Sequence, residues 1–251
     1  MIIVGCIISY KEGTLIQGAI RSLFPTCREV YVWEGPCQKG AEQITGKTEL
    51  GKWKTNKKVI YKEGTWETDS QKRNDILAAI QLKWLDDKRR RNRPVWLVVI
   101  DADELLIWGE YLQDWLEMAP DNQFAIPILR TETGVKQEKL TVTEGLILQK
   151  KEPLIDAIGI FADKAPTRCV RADMIKKYVV GCYQIELTNG VVISIGHERA
   201  PRLPQQGEPH IHHRSYLRKK DRAELRLNKG EELEWMLQNE KDYGVKNDAA
   251  Y

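Results

Sequence analysis

The chain has 251 residues, with a hydrophobic content of 42%, 18 glycines and 10 prolines, a composition typical of a globular protein rather than a disordered or repetitive one. Its formal net charge is +3, so the overall charge demands no nucleic-acid partner, although basic residues cluster at 88–93 and 212–226. No apolar run approaches the roughly 18 residues that a membrane span needs, and we expect no such span.

The five cysteines are odd in number and show no Cys-x-x-Cys spacing. This argues against a disulfide framework or a zinc knuckle and predicts free thiols in a reducing compartment. The opening residues, "MIIVGCIISY", show neither a basic leader nor a small-residue cleavage site. We therefore predict a cytoplasmic location.

The first hundred residues alternate between strand and helix patterns. Residues 2–9 form an apolar run that predicts a buried strand, and Thr14 is expected to cap a helix over 15–24 that Pro25 ends. The elements expected next are a strand at 28–35, a strand at 57–64, a helix over 71–85 capped by Asp69 or Ser70, and a strand at 95–100. This alternation predicts βαβ units and an α/β fold with an open, mostly parallel sheet flanked by helices.

The second half of the chain has shorter and more varied patterns. We predict a helix at 109–119, a strand at 122–130, a hairpin turned by Asn189-Gly190, and a basic helix over about 216–240. No linker separates the halves. We therefore expect one domain over residues 1–251, with halves at 1–108 and 109–251.

Three carboxylates, Asp101, Asp103 and Glu104, follow the apolar strand "VWLVVI" within four positions. Ligands of open α/β sheets bind where strands end, and strand alternation would point Asp101 and Asp103 to the same side. Two adjacent carboxylates suit Mg²⁺ or Mn²⁺, whereas the alternative is a solvated turn. Glu104 either orients the metal ligands from behind or begins the next helix as a first-turn acid.

Four stretches in order, "IISYKEG", "VYVWEGP", "QKRNDIL" and "WLVVIDADELL", make residues 2–106 resemble the family-2-like glycosyltransferases with the GT-A fold, in an Asp-Ala-Asp-Glu variant. The resemblance implies a GT-A-like sheet with a smaller, mixed acceptor-side half. It also implies a metal-dependent enzyme that moves a sugar from a nucleotide-sugar donor, expected to be a UDP-sugar, to an acceptor hydroxyl with inversion.

The resemblance assigns most donor contacts to residues at the strand ends. Tyr10 and Glu12 would lie against the nucleotide, and Glu34 would meet the base or ribose, where the family usually has Asp. The remaining donor contacts would be Arg73, supported by Asn74, and Asp101 at the ribose or sugar. Arg214 would then neutralise the diphosphate.

Asp103 is the expected metal ligand, and a late histidine, His213 or His212, would complete the metal site. A neutral imidazole suits Mn²⁺ better than Mg²⁺. The alternative for "HIHHR" is a polar loop before the last helix.

The general base that deprotonates the acceptor hydroxyl is expected to be Glu198, which follows a predicted strand, or otherwise Asp156. Either could equally be a surface acid. Arg168 and Arg171 are further candidates to meet the diphosphate or the acceptor.

The acceptor stays open between a glycan, such as a lipopolysaccharide core, and a hydroxylated base in DNA. Two other classes of function also remain. Acidic clusters with basic patches fit a metal-dependent nuclease or phosphotransferase, and the basic stretches fit a nucleic-acid-binding module.

Overall fold

The computed structural model describes residues 1–10, 15–37, 53, 55–85, 93–135, 158–162, 164–195, 197–199 and 204–213. The helices in this part of the chain are α1 (Leu15–Leu23), α2 (Asp69–Trp84) and α3 (Leu112–Glu117), the last preceded by a 3-10 turn at Gly109–Tyr111. The strands, in chain order, are β1 (Ile2–Ser9), β2 (Glu29–Glu34), β3 (Val59–Glu63), β4 (Val95–Asp101), β5 (Glu104–Ile107), β6 (Ala125–Pro127), β7 (Arg130–Val135), β8 (Ile158–Ala162), β9 (Lys164–Arg171), β10 (Ile175–Val180), β11 (Gln184–Leu187), β12 (Val192–Ser194), β13 (His197–Arg199) and β14 (His210–His213).

The central sheet has the strand order β13-β9-β4-β1-β2-β3, with β6 also paired to β9. Strands β3, β2, β1 and β4 are mutually parallel, whereas β9 runs antiparallel to β4, β6 and β13. The predicted α/β fold, with a largely parallel sheet flanked by helices, is confirmed. The second half of the chain supplies β9, β6 and β13 to the same sheet.

The helices cover opposite faces of the sheet, which explains why its parallel strands are continuous apolar runs. On one face α1 packs against alternate strand residues such as Ile7 and Val98. On the other face α2 packs against their neighbours, such as Cys6 and Val99. Each strand therefore buries both of its sides.

Helix α2 begins at Asp69, two residues before the predicted start at 71, so its cap lies before both predicted caps. Its N-cap is Thr68, in an extended conformation, and the hydroxyl of Thr68 accepts a hydrogen bond from the amide of Gln71 at 3.1 Å. Asp69 and Ser70, the predicted caps, are instead the first two helical residues. The prediction was wrong because Thr68 and Gln71 have the spacing of a capping box, which takes precedence over an acidic residue one position later.

The other strands of the second half are short and lie in two further sheets, β10-β11-β12 and β5-β14-β7-β8, the latter also including β5 from the first half. The predicted Asn189-Gly190 hairpin is confirmed, with Gly190 at φ +85° between β11 and β12. The strand predicted at 122–130 is instead split between β6 and the start of β7, and the helix predicted at 109–119 is a 3-10 turn followed by α3. Thr14 and the predicted helix at 216–240 lie outside the described residues.

All five cysteines are free thiols, as predicted. Within the described ranges, no helix has both the length and the apolar character needed to cross a membrane.

Gly35→Ala tests the join between the ends of β2 and β3. Gly35 has φ +143°, and a Cβ there would lie 1.8 Å from the carbonyl oxygen of Gly64. We expect the substitution to lower the free energy of unfolding by about 3 kcal/mol or more, through backbone strain and a clash with backbone. Urea denaturation measures this change.

Gly190→Ala is the matched control, because Gly190 also has a positive φ but a Cβ there would meet nothing within 4 Å. It should cost about 1 kcal/mol. Equal losses for the two variants would show that the close approach to Gly64 is not a constraint.

Candidate functional site

The strand order places a topological switch point between β1 and β4, because the chain leaves β1 toward β2 and returns to the other side of β1 at β4. Ligands of open α/β sheets bind at the carboxyl ends of strands at such a point. Tyr10 follows β1 directly, Glu34 ends β2, and Asp101 ends β4. The structure therefore brings these three predicted residues to one edge of the sheet, which we call the carboxyl edge.

Asp101 and Glu104 share one buried cation. Nη2 of Arg168, on β9, donates to Oδ2 of Asp101 at 3.0 Å and to Oε1 of Glu104 at 2.6 Å. Burial alone would lower the pKa of Arg168, but Glu104 and Asp101 together raise it above its ordinary value. The cation that offsets the charge of Asp101 and Glu104 is therefore a side chain of the protein, Arg168.

Glu104 begins strand β5 and not a helix, which corrects one of the two expectations for it. Its side chain is fully buried, and its Oε2 accepts a hydrogen bond from the backbone amide of Asp101 at 2.8 Å. Nη1 of Arg130, on β7, lies 3.6 Å from Oε1 of Glu104. Glu104 thus closes the turn between β4 and β5, and two arginines from the second half offset its charge.

Asp103 has a different partner. It is fully buried, and its Oδ2 lies 3.1 Å from Nε2 of His213 on β14. Burial lowers the pKa of His213, but the hydrogen bond with Asp103 and the nearby charge raise it overall above the ordinary value. A cation bound at Asp103 would compete with the proton of this imidazole.

Strand alternation separates the two candidate histidines. In β14, His213 pairs with Glu104 and His212 with Leu105, so their side chains point to opposite faces of the small sheet. The contact with Asp103 is made by His213. His212 is buried on the face that it shares with His210.

Arg73 is held at the start of α2. Its Nε donates to Oδ2 of Asp69 at 2.6 Å, and its guanidinium lies 5.9 Å from the ring centroid of Tyr178. Burial alone would lower the pKa of Arg73, but Asp69 and Asp101 together raise it above its ordinary value. Arg73 is therefore within electrostatic reach of the acidic end of β4.

The side chain of Asn74 contacts the backbone of Tyr178 with both of its polar atoms. Its amide nitrogen donates to the carbonyl of Tyr178 at 2.9 Å, and its oxygen accepts from the Tyr178 amide at 2.7 Å. Asn74 thus ties α2 to β10 and fixes the residue whose ring lies beside Arg73. Its observed contacts are those of a residue that supports Arg73.

Lys72 is a residue of this edge that the sequence reading missed. It is fully buried, and its Nζ donates to the carbonyls of Ser9 and Gly35, each at 2.7 Å, while lying 4.9 Å from the ring centroid of Trp66. Burial lowers the pKa of Lys72. The ammonium group therefore joins the carboxyl ends of β1 and β2 at the switch point.

The sequence did contain a signal for Lys72. The buried face of α2 comprises Lys72, Arg73, Ile76, Leu77, Ile80 and Trp84. The last four form an apolar stripe at helical spacing, and the two cations continue it by one turn toward the N-terminus. A helical stripe extrapolated by four residues would have included them.

Glu34 is buried at the end of β2, and Tyr10 is half-buried. The backbone of Glu198 lies in β13 opposite Ala165, near the start of β9. Because β9 is antiparallel to β4, the start of β9 lies at the carboxyl edge. Three predicted site residues lie outside the described residues: Glu12, Asp156 and Arg214.

Within the described part of the chain, no group of three or more His, Cys, Asp or Glu side chains is arranged to hold a metal ion. The nearest approach to such a site is the pair of Asp103 and His213. Arg171, a further candidate from the sequence, pairs with Asp173 through its Nη2 at 2.5 Å.

Comparisons with known proteins return structures of distant sequence. No model of a known protein family matches the chain, and no curated protein matches it. The chain is similar to S. aureus TarS with a TM-score of 0.36 and 16% identity, over 68% of this chain and 28% of that one. It is similar to TarS 1-349 in complex with UDP-GlcNAc with a TM-score of 0.33 and 16% identity, over 55% of this chain and 36% of that one.

A second similarity is to 4-diphosphocytidyl-2C-methyl-D-erythritol synthase, with a TM-score of 0.36 and 12% identity, over 68% of this chain and 75% of that one. The chain spans only 28% and 47% of the length of the first two TarS structures. Similarities at this level do not assign a reaction to the chain, so its function is argued below from its own residues.

Arg168→Met tests the charge network at the end of β4. The substitution leaves the fully buried Glu104 without its 2.6 Å partner, and breaking a buried pair from one side costs about 3–5 kcal/mol. We expect a loss of that size in the free energy of unfolding, measured by urea denaturation. Adding Glu104→Gln should restore part of it, because the uncompensated charge is then removed.

Arg171→Met is the control for this network. It removes an ion pair from the same strand, but the partner Asp173 keeps 26% of its side chain exposed, so the expected loss is about 1 kcal/mol. Similar losses for the two arginine variants would contradict a special role for Arg168.

His210→Asn tests the pH dependence of β14. Burial lowers the pKa of His210 to about 4, from an ordinary 6.5. The unfolded chain therefore takes up this proton at a higher pH than the folded chain, so the stability is complete above pH 6.5 and falls as the pH drops toward 4. At pH 5 the loss should be about 2 kcal/mol.

Urea denaturation at pH 7 and pH 5 measures this difference. Asparagine at 210 retains a donor for the carbonyl of Glu208, which lies 3.0 Å from Nδ1 of His210. The variant should lose less stability between the two pH values than the unaltered chain. An unchanged fall would show that His210 does not titrate in this way.

Proposed function

We propose that the protein is a metal-dependent glycosyltransferase that transfers a sugar from a nucleotide-sugar donor to an acceptor hydroxyl, with inversion. The observation that carries the proposal is the carboxyl edge at the switch point. There the acidic end of β4 lies beside the end of β1, Asp103 contacts the imidazole of His213, and Arg168 contacts Asp101 and Glu104.

The charges of this edge suit a donor that carries a diphosphate. Asp101 and Glu104 are offset by Arg168, and Arg73 lies within electrostatic reach of Asp101. A polyanion can therefore approach an end of a strand that would otherwise repel it. In the proposed complex Tyr10 and Glu34 meet the nucleoside, for which the family resemblance favours a UDP-sugar.

The residues present fit a divalent cation. Asp103 and His213 offer a carboxylate and an imidazole 3.1 Å apart, a donor set that suits Mn²⁺ better than Mg²⁺. Cations that bind nucleotides commonly take one or two protein carboxylates and fill their remaining positions with phosphate oxygens and water. When bound, the cation supplies stabilisation of the charge that develops on the leaving diphosphate.

The chain's own residues supply positioning and proton transfer. Lys72 fixes the ends of β1 and β2, and Arg73 offers its guanidinium to the donor. Glu198 is the proposed general base, supported by the position of β13 at the carboxyl edge. The base takes the proton of the acceptor hydroxyl while the oxygen of that hydroxyl attacks the anomeric carbon from the side opposite the leaving diphosphate. This attack inverts the configuration at the anomeric carbon. A glycan and a hydroxylated base in DNA remain the candidate acceptors.

Asp103→Asn tests the proposed metal role with a nearly isosteric side chain. In calorimetric titrations with a panel of nucleoside diphosphates, we expect micromolar binding of one nucleotide in the presence of Mn²⁺. The substitution should weaken this binding by more than about 100-fold, because removing a direct ligand should cost at least as much as removing an outer partner. Chelation of the metal should have the same effect on the unaltered chain.

Asp114→Asn is the control, since Asp114 is an exposed carboxylate on α3 and should leave binding unchanged. Nucleotide binding that resists both chelation and Asp103→Asn would contradict the metal dependence. Absence of binding to every nucleotide, with or without Mn²⁺, would contradict the transferase itself. DNA cleavage assays would then test a nuclease.

A further inference from the structure

A cavity of about 430 Å³ lies at the opposite edge of the parallel sheet, where the strands begin. We call it the amino-edge cavity. Its lining residues are Met1, Ile2, Ile3, Pro25, Thr26, Cys27, Arg28, Lys58, Trp84, Arg93 and Gln113. None of them belongs to the candidate site at the carboxyl edge.

The cations of this cavity come from the starts of three parallel strands. Arg28 directly precedes β2, Lys58 directly precedes β3, and Arg93 stands two residues before β4. Because parallel strands begin at the same edge of a sheet, the topology brings the three side chains to one place. Arg93 is also the last residue of the basic run "KRRRNR", which the proposed transferase function leaves unexplained.

No carboxylate offsets these charges among the described residues that line the cavity. Arg28 lies over the ring of Trp84, at 5.8 Å from its centroid, and Nζ of Lys58 donates to the carbonyl of Phe24 at 2.8 Å. Both partners are neutral. Neither contact neutralises the charge of Arg28 or Lys58.

The nearest acid in the sequence pairs elsewhere. Glu29 follows Arg28 directly, but its Oε1 accepts from Nζ of Lys83 at 2.6 Å, on the outer part of α2. The contrast with the carboxyl edge is clear, because there Asp101, Asp103 and Glu104 all have cationic or imidazole partners. Three like charges around one cavity, with no counter-charge among its described lining residues, favour the binding of an anion.

We propose that the amino-edge cavity binds a phosphate group. Arg28 and Arg93 carry the planar guanidinium that matches phosphate oxygens in pairs, and Lys58 adds a point charge. The volume falls within the roughly 300–1,000 Å³ of ligand-binding clefts and exceeds what a single inorganic ion requires. The phosphate can belong to a small diphosphate ligand or to the phosphodiester backbone of a nucleic acid, and this binding is independent of the proposed sugar transfer.

The test uses two probes, inorganic pyrophosphate and a short duplex DNA, with the full chain. Arg28→Gln, Lys58→Gln and Arg93→Gln each remove one charge from the cavity. We expect each to weaken binding of the recognised probe by about tenfold, as for the loss of one charge-assisted hydrogen bond. Calorimetry measures the pyrophosphate affinity, and fluorescence anisotropy measures the DNA affinity.

Lys57→Gln is the matched control, because Lys57 is the exposed neighbour of Lys58 and does not line the cavity. It removes the same charge from the same turn and should change the affinity little. Asp103→Asn distinguishes the cavity from the carboxyl edge and should leave the binding intact. An unchanged urea midpoint in each glutamine variant would show that the fold is retained.

The two probes distinguish the source of the phosphate. Pyrophosphate binding lost in the three cavity variants supports the proposal with a small diphosphate as the ligand. DNA binding lost in the same variants, with the slope of log affinity against log salt reduced by about 0.9 for each cation, supports it with a nucleic-acid backbone. The proposal is overturned if neither probe binds, if Lys57→Gln weakens binding as much as the cavity variants do, or if only Asp103→Asn abolishes it.

Discussion

The buried ion network around Arg168 is the constraint on which the carboxyl edge depends. Glu104 has no contact with solvent, and a carboxylate in that position is tolerated only with a partner held at good geometry. Arg168 provides that partner from β9, and Arg130 approaches from β7. The network therefore joins the acidic end of β4 to strands that come from the second half of the chain. The β4–β5 turn, the position of β9 and the conformation of Asp101 are coupled through this one cation.

Lys72 places a second buried charge on the other side of β1. Among the described residues its contacts are two backbone carbonyls and the face of Trp66, with no carboxylate within hydrogen-bonding distance. The ammonium group has three donors and bonds both carbonyls at once, and the carbonyl of Ser9 also accepts from the backbone amide of Gly35 at 3.0 Å. The apolar side chains of α2 pack against the sheet, and this packing places Lys72, on the same helix face, at the edge of the sheet. The apolar residues that pack on the sheet and the buried cation Lys72 thus lie on the same face of one helix.

The elements of the parallel half could be predicted from the sequence because each depends on local pattern. Continuous apolar runs predicted β1 and β4, and the helical spacing of apolar residues predicted α2. Element boundaries were less predictable, as at the cap of α2, and contacts between residues far apart in the chain could not be predicted. Nothing near Glu104 indicates Arg168, which lies 64 residues away, and Lys72 looks like an ordinary helical lysine until β1 and β2 are placed around it. That His213 and not His212 contacts Asp103 likewise depends on the register of β14, which the sequence of a four-residue strand does not reveal.

The two edges of the parallel sheet differ in how their charges are balanced, and the difference has a physical consequence. At the carboxyl edge the acids are matched by arginines and an imidazole, so the field that a polyanionic donor would meet is weakened. At the amino edge Arg28, Lys58 and Arg93 keep their charge. Strand β1 has eight residues, and at about 3.3 Å per residue it separates the edges by about 26 Å. That distance exceeds the Debye length of about 8 Å at physiological salt, so an anion at one edge cannot compensate the charge at the other. The acids of the carboxyl edge are offset locally, so the cations at the amino edge are available to a ligand of their own.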